Sequence, residues 1–564
     1  MSRKLFLMVL VLVMVLAGCT PAVTVTQQVT EAPDSGAPTQ AEPTAAATEA
    51  NSGAVEATAA PANTDPQSVT RAITAEPGGL DPHGVAGAGQ NTILPYLFDT
   101  LVYRDMDNTY KPFLAESWDI SDDGKKVTFT LRPNITFHDG TPLDAEAVKY
   151  SFDRIKEQGQ QSVLASVAGQ MQSIEVVDPL NVRFTFAAPS STLFSSLATP
   201  YAGIVSPTAA KEGGETFGQK PVGSGPYIFE KWDPGVAVTL VKNPNYAWAP
   251  ETDAIENKTA PIVDKLVFKI IPDVTQQITA FQAGEVDILF VNQPSHVAKL
   301  QADPNTDLRE TVLNSLIYLG FNLQKPPFDD VKVRQALSHA VNKEELLQTA
   351  LGGIGTVAFA PLAPTLPGFD PSLKEYELGF DLEKTTSLLA EAGFTQSADG
   401  TWSKDGQALS LTLVTSTRPP NPAIATVLQS QFKAAGIPVE VQALDSTAAQ
   451  EALTGGQYDL MLWRYDWNDA DVLRTYLSSS RIGRTNRNFY SNPELDGLLE
   501  QASQELDDAA RNELYLKAQQ IILTDAPWQP LYTPKDFMAI HTNVSGVVMG
   551  PMGRVLMNDA SRTK

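Results

Sequence analysis

The sequence predicts an α/β fold with two lobes. Two strand–helix–strand patterns carry this prediction, and a long intervening segment separates them; they occupy residues 265–290 and 409–441. Units of this kind form sheets that are covered by helices. Ligands of open α/β sheets bind beyond the carboxyl ends of strands, so the cleft between two such lobes is the expected binding site.

The first pattern begins with a strand at residues 265–271 and continues through a helix that starts after Asp273. Gln276 follows Asp273 by three residues, which resembles a capping box at a helix N-terminus. Gly284 is the expected end of this helix, and residues 286–290 predict the returning strand. Upstream, alternating apolar residues predict further strands at residues 126–131, 181–186 and 236–241.

The second pattern contains a strand at residues 409–413, a helix at residues 423–435 and a strand at residues 439–441. Gly436, with Pro438 just beyond it, marks the C-terminal end of the helix. These signals together predict a second sheet that is covered by at least one helix.

Two helices are predicted between these patterns, and one more strand follows them. Apolar residues from Val331 to Val341 recur at helical spacing and define one buried face. Asn342 and Glu345 have the spacing of a capping box for the next helix. Residues 459–463 predict the strand, with Leu460 and Leu462 as core positions.

The N-terminus predicts an exported, lipid-anchored protein. Arg3 and Lys4 precede an unbroken apolar run from Leu5 to Leu16, which is the pattern of a secretory signal peptide at residues 1–18. The run is too short to span a bilayer, which needs about 20 apolar residues. The segment from Leu16 to Cys19 resembles the bacterial lipobox, so Cys19 is the expected lipidation site. The alternative is an ordinary signal peptide with a chance cysteine.

Composition bounds the remainder of the chain. The 564 residues carry a formal charge of −24, and cleavage before Cys19 removes two cations and no acid, giving −26. A surface this acidic excludes binding to nucleic acid through charge alone. Cys19 is the only cysteine, so no intramolecular disulfide forms. Residues 19–67 are rich in Ala, Thr, Pro and Glu and predict a disordered tether.

A search for catalytic patterns finds none of the common nucleophile, zinc-protease, P-loop or dinucleotide motifs. The five histidines lack metal-ligand spacing. The missing motifs weigh against an enzyme, and we expect no catalytic residue, no metal site and no cofactor.

An ordered set of short motifs runs along the chain from about residue 69 to 550. The motifs are Leu80–His83, Leu114–Trp118, Asp122–Gly124, Phe129–Arg132, Phe137–Pro142, Ala147–Val148, Val222–Tyr227, Asn243–Tyr246, Ala280–Asp287, Phe321–Asn322, Pro327–Phe328, Val333–Leu337, Tyr490, Asn492, Asp496 and Ala526–Pro527. Taken in this order, the set resembles the family 5 extracellular solute-binding proteins, the peptide and nickel receptors of ABC importers. Most of the matched residues are expected to have structural roles.

The resemblance implies a two-lobe, periplasmic-binding-protein-like fold of type II, cluster C, with a hinge and an interlobe cleft. Lobe I would comprise residues 68–314 and 530–564, and lobe II residues 315–529. Two crossings would join the lobes and allow them to close over a ligand.

The segment after the strand at residues 459–463 is expected to determine specificity. In peptide-binding members of the family, this region contacts an extended ligand and an aspartate holds its α-amino group. A desolvated ammonium needs a charged partner of this kind. The Asp-Pro element of the family pattern is absent here, so three aspartates are candidates. The predicted ligand residues are Trp463, Tyr465, Asp466, Trp467, Asp469, Asp471 and Asn486.

Two loops are further candidates. The cluster of Arg481, Arg484 and Arg487 is either a solvated loop or a site for a ligand carboxylate. The glycine-rich loop at residues 84–89 allows backbone to approach a ligand closely.

The resulting hypothesis is a monomeric, lipid-anchored receptor outside the cytoplasm, periplasmic or on the cell surface. It would deliver a peptide or peptide-like solute to an ABC permease with its ATPase subunits, without binding nucleic acid. The alternatives are the same receptor binding an oligosaccharide or a metal chelate, an extracellular hydrolase, or a surface sensor or adhesin.

Overall fold

The computed structural model describes residues 67–84, 86–159, 162–550 and 553–563. The predicted signal peptide, Cys19 and the linker before Gln67 lie outside these residues. None of the helices in the described ranges has the length and apolar character that a bilayer-spanning segment requires.

The chain enters lobe I through a buried strand and a helix whose inward side packs against the first sheet. Residues 67–112 form β1 (Ser68–Ile73), α1 (Ala88–Leu97), β2 (Val102–Arg104) and β3 (Tyr110–Pro112).

A separate four-stranded antiparallel sheet follows, in the order β4-β5-β7-β6. Its alternating strands direct Phe129 and Phe184 into one core, where their rings lie 5.6 Å apart. The sequence predicted β5 and β7 but not that they form a sheet of their own. The elements are β4 (Ala115–Ile120), β5 (Lys126–Leu131), α2 (Ala145–Gln158), α3 (Ala165–Ala168), β6 (Met171–Asp178), β7 (Asn181–Phe186) and α4 (Leu193–Leu197).

The next segment completes most of the first sheet and confirms the predicted strand–helix–strand unit. The Asp273 side chain caps the helix by accepting a hydrogen bond from the Gln276 amide. The elements are α5 (Pro207–Gly213), β8 (Tyr227–Asp233), β9 (Ala237–Lys242), β10 (Lys265–Ile270), α6 (Val274–Gln282), β11 (Ile288–Val291), α7 (Pro294–Gln301) and β12 (Thr306–Val312).

The strands of lobe II are β13 (Ser315–Phe321), β14 (Thr356–Val357), β15 (Thr395–Gln396), β16 (Trp402–Lys404), β17 (Gln407–Ala408), β18 (Leu411–Ser416), β19 (Val439–Leu444), β20 (Leu460–Asp466) and β21 (Trp528–Thr533). Six of them form the main sheet in the order β14-β21-β13-β20-β18-β19, and β15, β16 and β17 form a separate three-stranded sheet. Its helices are α8 (Val331–His339), α9 (Lys343–Leu351), α10 (Leu382–Glu391), α11 (Asn421–Ala434), α12 (Ser446–Thr454), α13 (Val472–Leu477), α14 (Pro493–Gln504) and α15 (Asp508–Asp525).

The chain then returns to lobe I. The returning strands are β22 (Lys535–His541), β23 (Val544–Ser545), β24 (Val548–Met549), β25 (Val555–Leu556) and β26 (Ser561–Arg562). β22 inserts between β12 and β11, which gives the first sheet the order β12-β22-β11-β1-β10-β9-β8.

Both predicted strand–helix–strand units are parallel. β10 and β11 pair parallel to β1 on its two sides, and β18 pairs parallel to both β19 and β20. The lobe II sheet is buried on both faces: Leu460 and Leu462 enter one core and Met461 and Tyr465 the other. This arrangement explains why β20 begins as a continuous apolar run.

Two adjacent crossings join the lobes. One runs from β12 to β13, and the other from β21 to β22, and the Leu313 amide donates to the Pro534 carbonyl at 3.0 Å. β21 pairs within the lobe II sheet up to Thr533, so the predicted return at residue 530 falls inside this strand. Two short crossings bonded to each other form a narrow hinge about which the lobes can rotate.

Candidate ligand-binding cleft

A cavity of about 720 Å³ lies between the lobes and beside the two crossings. Its volume is in the range of small-molecule binding sites. Lobe I contributes residues from α1, from the β2–β3 turn, from the loop at residues 198–201 and from the C-terminal hairpin. The crossing contributes residues 310–314, and lobe II contributes Pro364, Thr365, Asp466, Trp467 and Asn468.

The lobe II wall consists of the end of β20 and the loop that follows. Backbone pairing ends at Asp466, so the next side chains leave the sheet at its carboxyl edge. The Trp467 amide donates to the Asn314 carbonyl at 3.0 Å and ties this loop to the crossing. Trp467 is 38% exposed, which is unusual for so large an apolar side chain. Two of the ligand residues predicted from the sequence, Asp466 and Trp467, therefore lie on the cavity wall.

Asp466 offers a carboxylate to the cavity. Its oxygen Oδ2 accepts a hydrogen bond from Arg464 Nε at 2.8 Å, and both side chains are about half exposed. Such an exposed pair is weak and exchanges partners at little cost. Asp536 lies close by, and burial raises the pKa of its carboxyl. The exposed carboxylate of Asp466 favours a cation at this end of the cleft.

The other two candidate aspartates are engaged inside lobe II. Asp469 is 3% exposed and pairs with Arg511 through two contacts, of 2.6 and 3.3 Å. Burial lowers the pKa of the Arg511 guanidinium, but the charge of Asp469, Tyr515 and the hydrogen bonds to both together outweigh burial, and the net pKa is raised. Asp471 pairs with Arg474, with Oδ1 2.7 Å from Nε. Burial raises the pKa of Asp471. Neither aspartate lines the cavity.

The three remaining predicted residues also have structural partners. Tyr465 is buried; its hydroxyl donates to the Pro361 carbonyl at 2.8 Å and accepts from the Ala363 amide. The Asn486 side-chain amide donates to three backbone carbonyls. Trp463 lies under a guanidinium, with Arg487 Cζ 5.0 Å from its ring centroid. None of these three lines the cavity.

The lobes contact each other across the cleft mouth. Arg104 of lobe I is 2% exposed, and its Nη1 donates to the Asn468 carbonyl of lobe II at 2.5 Å. Asn108 accepts from Arg104 and donates to the Thr365 carbonyl at 3.3 Å. Burial lowers the pKa of Arg104, while Tyr110 and Asp469 oppose this effect. These bonds hold the ligand-facing loop of lobe II against lobe I.

Sequence reasoning missed the lobe I residues of the cleft, including Arg104, Arg554 and Glu310. Arg104 and Arg554 are more than 400 residues apart in the chain. Arg104 ends the short strand β2 and Arg554 directly precedes the short strand β25. Neither stretch has a distinctive sequence pattern, so only their convergence in space identifies these residues.

Several motifs that carried the family resemblance are structural, as predicted. The His138 ring bonds the Gly225 carbonyl at 3.0 Å, and the His138 amide donates to the Gly223 carbonyl. A Cβ atom at Gly223 would lie 2.0 Å from the backbone oxygen of Leu97. These glycines therefore allow two backbone segments to pack directly together.

In the described ranges, no group of three or more His, Cys, Asp and Glu side chains has an arrangement suited to a metal ion. A second groove, of about 890 Å³, lies within lobe II, where α10, α11 and the loop at residues 396–401 meet. Of these two cavities in the described part of the chain, the interlobe cavity is the one bounded by both lobes and by the hinge.

Comparison with known proteins gives matches along most of the chain. Residues 109–484 match the sequence pattern of the bacterial extracellular solute-binding proteins, family 5. Heme-binding protein A of Haemophilus influenzae is 31% identical over 83% of this chain and 87% of its own length. Di/tripeptide-binding protein 2 of Pseudomonas aeruginosa is 29% identical over 88% of this chain and 95% of its own.

Solved structures agree with this result. The ABC transporter-associated periplasmic binding protein DppA of Helicobacter pylori, in complex with the peptide STSA, is 26% identical. The alignment covers 87% of this chain and 98% of that one, with a TM-score of 0.67.

The two lobes, the double crossing and the enclosed cleft define a solute-binding protein with the two-lobed periplasmic-binding-protein fold. The chain belongs to the bacterial extracellular solute-binding proteins, family 5. This family consists of binding proteins, and the predicted family and fold are confirmed.

Proposed function

We propose that this protein is the lipid-anchored receptor of an ABC importer and captures peptides or peptide-like solutes in the interlobe cavity. The Asp466 carboxylate would hold the ligand's ammonium group, and Trp467 would cover its apolar part. Of the predicted ligand residues we retain these two, because the other five do not line the cavity.

The observation that carries the proposal is the position of Asp466. It lies at the carboxyl edge of the lobe II sheet, lines a cavity bounded by both lobes, and pairs with an arginine that is itself half exposed. An ammonium that enters the closed cleft loses water and needs a charged acceptor. The names of two similar proteins, which mention dipeptides, tripeptides and a bound peptide, support the same ligand class.

Closure of the two lobes would link ligand binding to transport. Ligand contacts that form only when the lobes meet shift the protein towards its closed state. The Arg104 bond to the Asn468 carbonyl would be one of the contacts that report closure. The closed surface would then be recognised by a permease.

The test is calorimetric titration of the purified protein with a panel of di- and tripeptides, each with a free and an acetylated N-terminus. We expect Asp466→Asn to weaken binding of the free peptides about tenfold or more, the usual effect of losing a charged hydrogen bond. Acetylation should produce a similar loss in the wild type and little further loss in the variant.

Asp307→Asn is the matched control. Asp307 also pairs with an arginine two residues away in a strand, at a similar exposure, but it does not line the cavity. The Asp307→Asn variant should bind the peptides with the affinity of the wild type. Binding of an oligosaccharide or metal chelate in place of every peptide would refute the peptide proposal and favour that alternative.

The anchor is tested separately, since Cys19 lies outside the described residues. We expect Cys19→Ala to release the protein from the membrane fraction. Retention of the variant in membranes, in the absence of a permease, would refute lipid anchoring through this residue.

A further inference from the structure

Arg554 is the only lysine or arginine among the described residues that line the interlobe cavity. Two acids line the same cavity, and each has a cation beside it. Glu310 lies 2.7 Å from Lys535 Nζ, and Asp466 pairs with Arg464. Arg554, in contrast, has no carboxylate within ion-pair distance in the part of the chain that the structure describes.

The guanidinium of Arg554 is held in place but mostly unused. Its Nη2 donates to the Pro95 carbonyl at 3.1 Å, and its Cζ lies 5.6 Å from the centroid of the Tyr103 ring. An arginine has five N–H donors in a rigid fork, so the ring and one carbonyl leave most of them available. The Tyr103 hydroxyl is buried and has no hydrogen-bond partner in the described ranges.

Asp99 is the buried acid in this part of lobe I, but it is satisfied elsewhere. Its Oδ2 accepts hydrogen bonds from Trp248 at 2.8 Å and from Ser224 at 3.0 Å. Burial raises the pKa of Asp99 to about 6, and Arg554 opposes this effect less than those hydrogen bonds do. The charge of Arg554 is therefore left for a group that enters the cavity.

The two short strands on either side of Arg554 are anchored to each other and to α1. Met549 pairs with Val555 across β24 and β25, and the Tyr96 hydroxyl of α1 donates to the Val555 carbonyl at 2.7 Å. The guanidinium consequently belongs to lobe I, whereas the carboxylate of Asp466 belongs to lobe II.

We propose that Arg554 binds an anionic group of the ligand, so that the ligand is dipolar and spans the cleft with its cation on lobe II and its anion on lobe I. This inference rests on the proposed function and adds a second charged end to the ligand. A ligand held by opposite charges on the two lobes binds the closed form better than the open one, and this difference drives closure.

The anion is either the C-terminal carboxylate of a peptide or an acidic side chain, and both present the same two oxygens to an arginine fork. The test compares Ala-Ala-Ala with a free C-terminus, its C-terminal amide, and Ala-Ala-Glu amide, by calorimetry on the purified protein. The variants are Arg554→Gln and Arg554→Lys, with Arg484→Gln as a control, because Arg484 is exposed on lobe II and belongs to the basic cluster that is the rival carboxylate site.

We expect the wild type to bind the free acid about tenfold to a hundredfold more tightly than the amide. Arg554→Gln should abolish that difference, Arg554→Lys should retain part of it, and Arg484→Gln should retain all of it. If the wild type binds Ala-Ala-Glu amide as tightly as the free acid, a side-chain carboxylate is sufficient for Arg554. If it binds this peptide as weakly as the amide of Ala-Ala-Ala, the group that Arg554 binds is the C-terminal carboxylate. Thermal unfolding of each variant, expected to match the wild type, separates binding from folding.

The inference is wrong if the acid and amide bind equally, or if Arg554→Gln weakens both equally. It is also wrong if Arg484→Gln removes the preference for the acid. In each of these cases the proposed function would still stand, provided that N-acetylation of the peptide and the Asp466→Asn substitution weaken binding as expected. Absence of binding by every peptide would overturn both.

Discussion

The pairing of Asp469 with Arg511 predicts that one cleft-loop aspartate stabilises the fold rather than contacting the ligand. We consider Asp469→Ala, which removes the carboxylate and leaves the guanidinium in place. The two side chains are only 5% and 9% exposed, and they form two contacts, of 2.6 and 3.3 Å. Arg511 would keep its hydrogen bonds to the Tyr515 hydroxyl and the Ala502 carbonyl, with Asp471 as a weaker electrostatic partner.

The expected loss of unfolding free energy follows from the burial of this ion pair. Removing one partner of a buried ion pair costs about 3–5 kcal/mol, because the remaining charge loses its compensation. Asp469 also accepts a hydrogen bond from the Asp471 amide at 2.8 Å, and this turn would be lost. If lobe II, residues 315–533, unfolds as a unit, the loss lowers its melting temperature by about 10 °C. Asp466→Ala, at an exposed pair, should change the unfolding free energy by less than about 0.5 kcal/mol.

The assay is urea unfolding followed by tryptophan fluorescence, with ligand affinity measured on the same samples. The pair replacement Asp469→Leu with Arg511→Met should recover most of the stability, since an apolar pair of similar volume replaces the buried charges. Two outcomes would refute the reasoning. One is a loss of less than about 1 kcal/mol on Asp469→Ala. The other is a loss of ligand affinity at unchanged stability, which would make Asp469 a ligand residue.

Three further predictions concern closure, pH and backbone packing. Arg104→Ala should weaken ligand binding about tenfold and reduce ligand-induced compaction in small-angle scattering, because it removes a charged hydrogen bond between the lobes; unchanged compaction would contradict this role. Burial lowers the pKa of His83 and of His138 to about 4, so their contribution to stability is complete above pH 6.5 and is lost as the pH falls towards 4. Each accounts for up to about 3 kcal/mol, and substitution by Gln should flatten the measured dependence of unfolding free energy on pH; an unaltered slope would show that they titrate normally. Gly223→Ala should lower the unfolding free energy by at least about 2 kcal/mol, because the new Cβ would overlap a carbonyl of α1. Gly497→Ala, which has open space in α14, should raise it by about 0.5–1 kcal/mol. Similar melting temperatures of the two variants would refute the contrast.

Local patterns identified many elements because their signals are contained in a few neighbouring residues. The helix starts at Asp273 and Asn342 were predicted from side chains that cap the next turn, and both caps are present. The strand ending near Trp463 was predicted from its apolar run, although it continues to Asp466. Alternation could not show which strands pair, so the separate sheet of β4 to β7 went unrecognised.

The candidate site was predictable in position but not in its individual residues. The rule that ligands lie beyond the carboxyl ends of strands led to the segment after Trp463, and Asp466 and Trp467 do line the cavity. Asp469 and Asp471 look equivalent to Asp466 in the sequence. Burial distinguishes them: the carboxylates of Asp469 and Asp471 are buried beside their arginine partners, whereas the pair of Asp466 is about half exposed. The partner of Asp469 lies in α15, more than 40 residues away, and local spacing does not reveal it.

The sequence by itself determined the family through its ordered motifs. It also determined the α/β class and the ends of many helices and strands, because these depend on side-chain periodicity, capping and glycine positions within short segments. Only the tertiary structure decided which charges remain available to a ligand. Burial and pairing are long-range properties: Asp466 meets solvent, Asp469 meets Arg511, and Arg554 reaches the same cavity from the end of the chain. The electrostatic character of the cleft therefore arises from folding, which brings residues separated by hundreds of positions into one enclosed space.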